Sequence, residues 1–194
     1  VDFDGDGLHE VWVNTWDNFS MAIYEATGAD AYRLANDLNE MFIDNDPGSF
    51  NRVGFAFHDI DGDGAMEAWF PMTNGKLYYL ETVADSTDSA HFAVGGVDSI
   101  KASHFHEILT FGPNSSRGGD VGDIDGNGKP DIIVGTGTAE TVVRIEYQGS
   151  DPTDPFSYMV STILESQGGD PDRWYSLDIS DNDLDGDGNL EVVV

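Results

Sequence analysis

Short runs of β-branched and aromatic residues, separated by turn residues, recur along the whole of this 194-residue chain, the pattern of half-buried strands. Glu10 to Asn14 reads as one strand and Phe19 to Glu25 as a second, with Thr27-Gly28-Ala29-Asp30 as the turn into a third around Tyr32 to Leu38. Leu34, Ala35, Leu38, Met41 and Phe42 also fit a helical face; strand is preferred because later parts of the chain carry strand sequence at the equivalent place. Pro47-Gly48-Ser49 breaks the chain before a leading strand at Arg52 to Phe57. Glu67 to Met72, an Asn74-Gly75 turn and Lys76 to Val83 follow, then a polar turn at Ala84 to Ser89, His91 to Val94, and Ile108 to Phe111. The last third repeats the order with Asp131 to Val134, Thr141 to Tyr147, a turn at Gly149 to Pro155, Ser157 to Leu164 and Trp174 to Ile179.

Between these strands one nine-residue stretch returns four times, as D-x-D-G-[DN]-G-x-x-[DE], beginning at Asp2, Asp59, Asp123 and Asp183. The starts are 57, 64 and 60 residues apart, a period that signals a propeller or array. The repeats run from about 2–58, 59–122 and 123–182, with a fourth starting at 183–194, all within one domain. Four short antiparallel strands per period is the composition of a propeller blade, so the predicted fold is all-β, built from about three four-stranded blades of a larger propeller or assembly. Closed propellers have four to eight blades. The open ends are therefore expected to be completed by further sequence or by other copies of the chain, and the chain reads as a piece of something longer or as a processed product.

Each nine-residue stretch packs three oxygen side chains into five residues around two glycines, which requires a cation among them. Ca²⁺ fits, being hard, oxygen-seeking and tolerant of irregular geometry; without Cys or His at ligand spacing, zinc and copper fit poorly. The side-chain ligands are Asp2, Asp4, Asp6 and Glu10; Asp59, Asp61, Asp63 and Glu67; Asp123, Asp125, Asn127 and Asp131; and Asp183, Asp185, Asp187 and Glu191. Position seven, Leu8, Ala65, Lys129 or Asn189, is assigned a backbone carbonyl, giving up to four Ca²⁺. The first half of the stretch resembles an EF-hand loop, whose closing Glu stands at position 12 between helices. Here position 12 is Val13, Phe70, Val134 or Val194, and the acid at position nine runs straight into strand sequence. With Asn127 in place of Asp, the third loop is expected to bind most weakly.

Composition narrows the partners. Eight Lys and Arg against 37 Asp and Glu give a net charge of −29, which disfavours nucleic acid and anionic membrane surfaces. No apolar run approaches a membrane span, and there are no cysteines. Loops of this kind in extracellular modules bind calcium weakly enough to need concentrations found outside the cytosol, so the expected location is extracellular or at the cell surface.

The loops, the strand after each, and especially Phe111-Gly112-Pro113 through Gly119-Asp120-Val121-Gly122 into the third loop and Ile132-Ile133-Val134-Gly135, resemble the FG-GAP and VCBS repeats of calcium-bearing β-propellers such as integrin α heads. The resemblance implies loops that brace the connection between strands, with binding done by other surfaces.

Other candidate chemistry is thinner. His104-Phe105-His106-Glu107, if extended, puts both imidazoles on one face, without an identifiable third metal ligand. Gly135 to Glu140 imitates a dinucleotide fingerprint, but Glu140 replaces its third glycine and a β-branched run follows. Asn18 and Asn114 are formal N-glycosylation acceptors, and Trp12, Trp16, Trp69 and Trp174 are expected to pack between blades. No catalytic residue is assigned. The expected function is a non-enzymatic module for adhesion, structural assembly or display of a protein or carbohydrate ligand at the cell surface or matrix, with self-association through open blade edges. The alternatives are the propeller portion of a polysaccharide lyase or hydrolase, and a subunit of an extracellular filament.

Overall fold

The computed structural model describes residues 1–14, 21–38, 56–82, 92–93, 96–111, 116–136, 141–149, 151–165, 177–180, 183–187 and 189–193. Among them the chain is all-β, with no α-helix. The first sheet holds β1 (Glu10–Asn14), β2 (Met21–Gly28) and β3 (Ala31–Asp37), paired antiparallel in that order. The segment whose apolar spacing also fitted a helix is therefore strand over β3, and its turn closes at Asp30, whose φ of 57° is a left-handed conformation Asp tolerates. The second sheet contains β4 (Ala56–His58), β5 (Glu67–Pro71), β6 (Lys76–Thr82), β7 (Phe92–Ala93) and β8 (His106–Thr110). The third is an antiparallel meander of β9 (Ser116–Gly122), β10 (Asp131–Thr136), β11 (Thr141–Tyr147) and β12 (Tyr158–Glu165), and β13 (Asp178–Ile179) with β14 (Val192–Val193) begins a fourth. The expected leading strands at 52–57 and 174–179 are described only at β4 and β13; the turn at 84–89 and residues Trp16, Asn18, Asn114 and Trp174 lie outside the described residues.

One expectation is corrected. Not every strand is antiparallel: β7 runs parallel to β6 over Glu81 and Thr82, because β8 takes the other end of β6 in an antiparallel ladder from Lys76↔Thr110 to Tyr79↔His106. The extended run over residues 104–107 that would put both imidazoles on one face is not formed. His104 ends a 3-10 turn (Ala102–His104), where its Nδ1 accepts from Lys101 N at 3.1 Å, whereas His106 opens β8.

The sheets stack face to face in chain order, each strand sending alternate side chains to opposite faces. Phe70 and Leu80 of the second sheet meet Phe3, Met21 and Ile23. The opposite face of that sheet, Trp69, Leu77 and Tyr79, meets Ile132, Val134, Val143, Ile145, Tyr147 and Tyr158 of the third. Ile133 and Val142 then face Leu177 and Ile179. The seams are aromatic: Phe3 lies edge-on to Trp12 at 5.1 Å, and Trp69 contacts Tyr79 at 5.0 Å and Tyr158 at 5.8 Å, offset geometries that add to the area buried. Trp69 is fully buried, as a tryptophan packed between sheets must be.

Strand β9 was not predicted, since Ser-Arg-Gly-Gly-Asp-Val-Gly lacks the β-branched signature. Its glycines are dictated by neighbours. A Cβ on Gly119 would stand 3.1 Å from Ile133 O and 3.3 Å from Pro71 Cγ, and one on Gly122 would stand 3.1 Å from Ile179 Cγ2. Gly119 thus sets the approach of the second sheet, and Gly122 that of the fourth. Asp120 between them accepts from Ile179 N at 2.7 Å. Gly119→Ala is expected to cost about 1–3 kcal/mol by overpacking against a backbone oxygen that a strand cannot move. Urea denaturation of the variant checks this; unchanged stability counts against close packing at β9.

Candidate metal centres

Each nine-residue loop leads into a strand, which its closing acid opens in the first three loops and immediately precedes in the fourth. The second joins β4 to β5 and the third joins β9 to β10; the fourth lies between β13 and β14. Before β1, Val1 already sits opposite Glu10, whose N–H donates to Val1 O at 2.6 Å. The expectation of loops that open strands rather than join helices holds at all four.

The four loops close by the same internal hydrogen bonds. The N–H at position five donates to the side chain at position three: Asp6 to Asp4 at 3.3 Å, Asp63 to Asp61 at 3.1 Å, Asn127 to Asp125 at 3.3 Å and Asp187 to Asp185 at 3.0 Å. Position seven donates to position five: Leu8 to Asp6, Ala65 to Asp63, Lys129 to Asn127 and Asn189 to Asp187, at 2.7, 2.7, 2.8 and 2.9 Å. The second glycine donates to the first Asp where it is described: Gly7 to Asp2, Gly64 to Asp59 and Gly128 to Asp123. These turns need the glycines, which hold φ of 73° and 89° in the first loop, 78° and 93° in the second and 68° and 83° in the third. Finally, position two donates to the closing acid: Phe3 to Glu10, Ile60 to Glu67, Ile124 to Asp131 and Leu184 to Glu191.

The result is convergence of carboxylates. Ligand atoms of Asp2, Asp4, Asp6 and Glu10 all lie within 4.8 Å of one another, as do those of Asp59, Asp61, Asp63 and Glu67, of Asp183, Asp185, Asp187 and Glu191, and of Asp123, Asp125 and Asp131. All fifteen sequence-assigned acids are brought together, and these clusters can hold a metal ion. The first two loops fit one best. Glu10 and Glu67 are 3% and 0% exposed; each gives Oε2 to a backbone N–H, and each leaves Oε1 buried without a hydrogen-bond partner. An unpaired buried carboxylate oxygen is costly, and a hard cation among the neighbouring aspartates supplies what it lacks.

Sequence reasoning missed a fifth acid. Opposite the closing acids of the first three loops, on the next strand, stands a buried glutamate: Glu10↔Glu25, Glu67↔Glu81 and Asp131↔Glu146. The signal was present in the chain as a Glu 22 or 23 residues after the first Asp of the first three loops. Each is held differently. Glu25 pairs with Arg33 at 2.8 Å, Glu81 accepts from the Tyr79 hydroxyl, and Glu146 meets Arg144, Lys129 and Gln148.

The loops border the next sheet. Asp4 accepts from Val97 N at 2.9 Å and Phe3 O from Thr82 Oγ1 at 2.8 Å, tying the first loop to the second sheet. Between the second and third loops a cleft of about 450 Å³ is lined by Asp61, Asp63, Lys129, Tyr147 and Gln148.

Burial pushes Glu67 from 4.5 up to about 9, Glu81 up to about 8 and Glu10 up to about 7, with the neighbouring acids adding to each. At Glu67 and Glu10 the backbone N–H opposes the rise. The folded, metal-free protein thus keeps protons that the unfolded chain has released. Since the native state binds more protons, stability without metal falls as pH rises from 4.5 towards 9. Urea denaturation in chelator is expected to give a lower stability at about pH 9 than at about pH 6, and Glu67→Gln is expected to recover roughly 1–3 kcal/mol at the higher pH. A metal-free stability that does not fall over this range contradicts the burial of an ionisable Glu67.

In comparison with known proteins, no family model matches this chain, and no curated protein matches it.

Proposed function

We propose that the chain is a set of calcium-bearing β-propeller blades from an extracellular, non-enzymatic module, serving adhesion, assembly or ligand display. The observation that carries this reading is one hydrogen-bonding scheme in four loops, with buried, unpartnered Oε1 atoms of Glu10 and Glu67 among the loop aspartates. Supporting the blade reading, successive sheets stack by their faces, and β9 packs beside both β4 and β13, as first strands around a common axis do. In the first, second and fourth loops the acids at positions one, three, five and nine, with the carbonyls of Leu8, Ala65 and Asn189, make an all-oxygen set suited to Ca²⁺. Ion binding orders the loop, and the loop delivers its strand to the sheet, so binding and folding are one equilibrium. The FG-GAP and VCBS resemblance is consistent with this reading and implies ligand recognition on surfaces away from the loops.

Thermal denaturation against calcium tests the reading. A site held at 100-fold over its Kd adds about 2.7 kcal/mol, so the midpoint is expected to climb with calcium and to drop in chelator, with magnesium a poor substitute. A midpoint indifferent to calcium refutes it.

A structural-assembly role is favoured by β12. Among the described residues this strand pairs only with β11, and it exposes Met159, Val160, Ile163 and Leu164. An open apolar edge invites another strand. Sedimentation of the calcium-loaded protein is expected to show concentration-dependent association that Val160→Lys with Ile163→Lys reduces; a monomer at all concentrations ends the assembly role.

A further inference from the structure

Resting on the calcium reading, the contrast among loops goes one step further. We propose that Arg144 is a tethered cation occupying the role of the metal ion in the third loop, so that the β9–β12 sheet sets without calcium while the seams at the first two loops require it.

Arg144 stands on β11 with its side chain 14% exposed. Its Nε lies 2.5 Å from Asp131 Oδ1 and its Nη2 2.7 Å from Asp125 Oδ2, so it bonds the acids at positions nine and three of the loop. Nη2 also bonds Glu146 Oε2, while the other oxygen of Glu146 is held by Lys129 Nζ at 3.3 Å and Gln148 Nε2 at 2.5 Å. Asp131 Oδ2 accepts from Ile124 N at 3.1 Å. Both oxygens of this closing acid therefore have protein donors, unlike those of Glu10 and Glu67. A guanidinium is always charged and offers a planar fork of donors, which suits it to bridging several carboxylates.

The same place in the other sheets carries no cation. Arg144 lies opposite Ile133, two residues beyond the closing acid; the equivalent pairs are Trp12↔Ile23 and Trp69↔Tyr79. Arg33 neutralises Glu25 in the first sheet, but its bonds run to Glu25 and Asp98 and not to a loop ligand. For a metal ion to take its full set of oxygens in the third loop, Arg144 must surrender Asp125 and the fully buried Asp131, and giving up a buried ion pair costs more than displacing water.

Amide hydrogen exchange on the whole chain, with calcium and with chelator, tests this. Chelation is expected to speed exchange in β1, β2, β5 and β6 by about tenfold or more and to leave β10 and β11 within about twofold. Arg144→Met is expected to make β10 and β11 calcium-dependent and to bind one more ion per chain by native mass spectrometry, whereas Arg144→Lys, which keeps the charge, stays closer to the parent. If β10 and β11 of the parent lose protection with the rest, or if Asn127→Asp alone adds the ion and Arg144→Met does not, the inference fails while calcium binding stands. If chelator alters no sheet, the calcium reading itself has failed. Because the parent alone gives the first result, the test holds even where Arg144→Met does not fold.

Discussion

A carboxylate placed in the dry seam between two sheets is the constraint on which the rest of the structure depends. Glu67 shares its face of the second sheet with Trp69, which packs against the third sheet, and Glu10 shares its face of the first sheet with Trp12, which packs against the second. A charge there is tolerated only when it is paired and hydrogen-bonded. One oxygen is served by the N–H of the residue after the loop's first Asp. The other oxygen turns the acidic loop from a liability into a requirement, because the surrounding aspartates offer no positive charge of their own.

The seams are therefore electrostatic joints as well as hydrophobic ones. Aliphatic and aromatic side chains fill the seams, and the carboxylate beside them adds a charge that has to be neutralised. The buried glutamates Glu25, Glu81 and Glu146 raise the demand further. The chain answers with Arg33 in one sheet, with a tyrosine hydroxyl in the next, and with Arg144 and Lys129 in the third. Repetition of backbone geometry is thus combined with variation in charge compensation, and the sheets that share an outline do not share one electrostatic solution.

What could be read from the chain was whatever is written locally. The loops were legible because turn chemistry and ligand spacing lie within nine residues, and β1, β5, β10 and β11 because each follows an acid or a turn with a clear apolar run. Strand β9 was not, since Gly119 and Gly122 are required by Pro71, Ile133 and Ile179, distant in sequence. The fifth acids and Arg144 escaped for a related reason: their meaning comes from cross-strand register, which no single segment contains. The parallel pairing of β7 depends on where β8 lands, and nothing in residues 92–93 announces it.

The alternation of side chains along a strand gives the loop-to-strand junction a further property. Inserting or deleting a single residue between the loop and β5 would turn Glu67 toward the Phe70 side and leave Met66 or Ala68 in its place beside the aspartates. Length changes are thus barred from the junction and confined to the connections elsewhere in each sheet. The spacing from first Asp to closing acid accordingly stays constant in all four copies, while the distances between copies drift through 57, 64 and 60 residues.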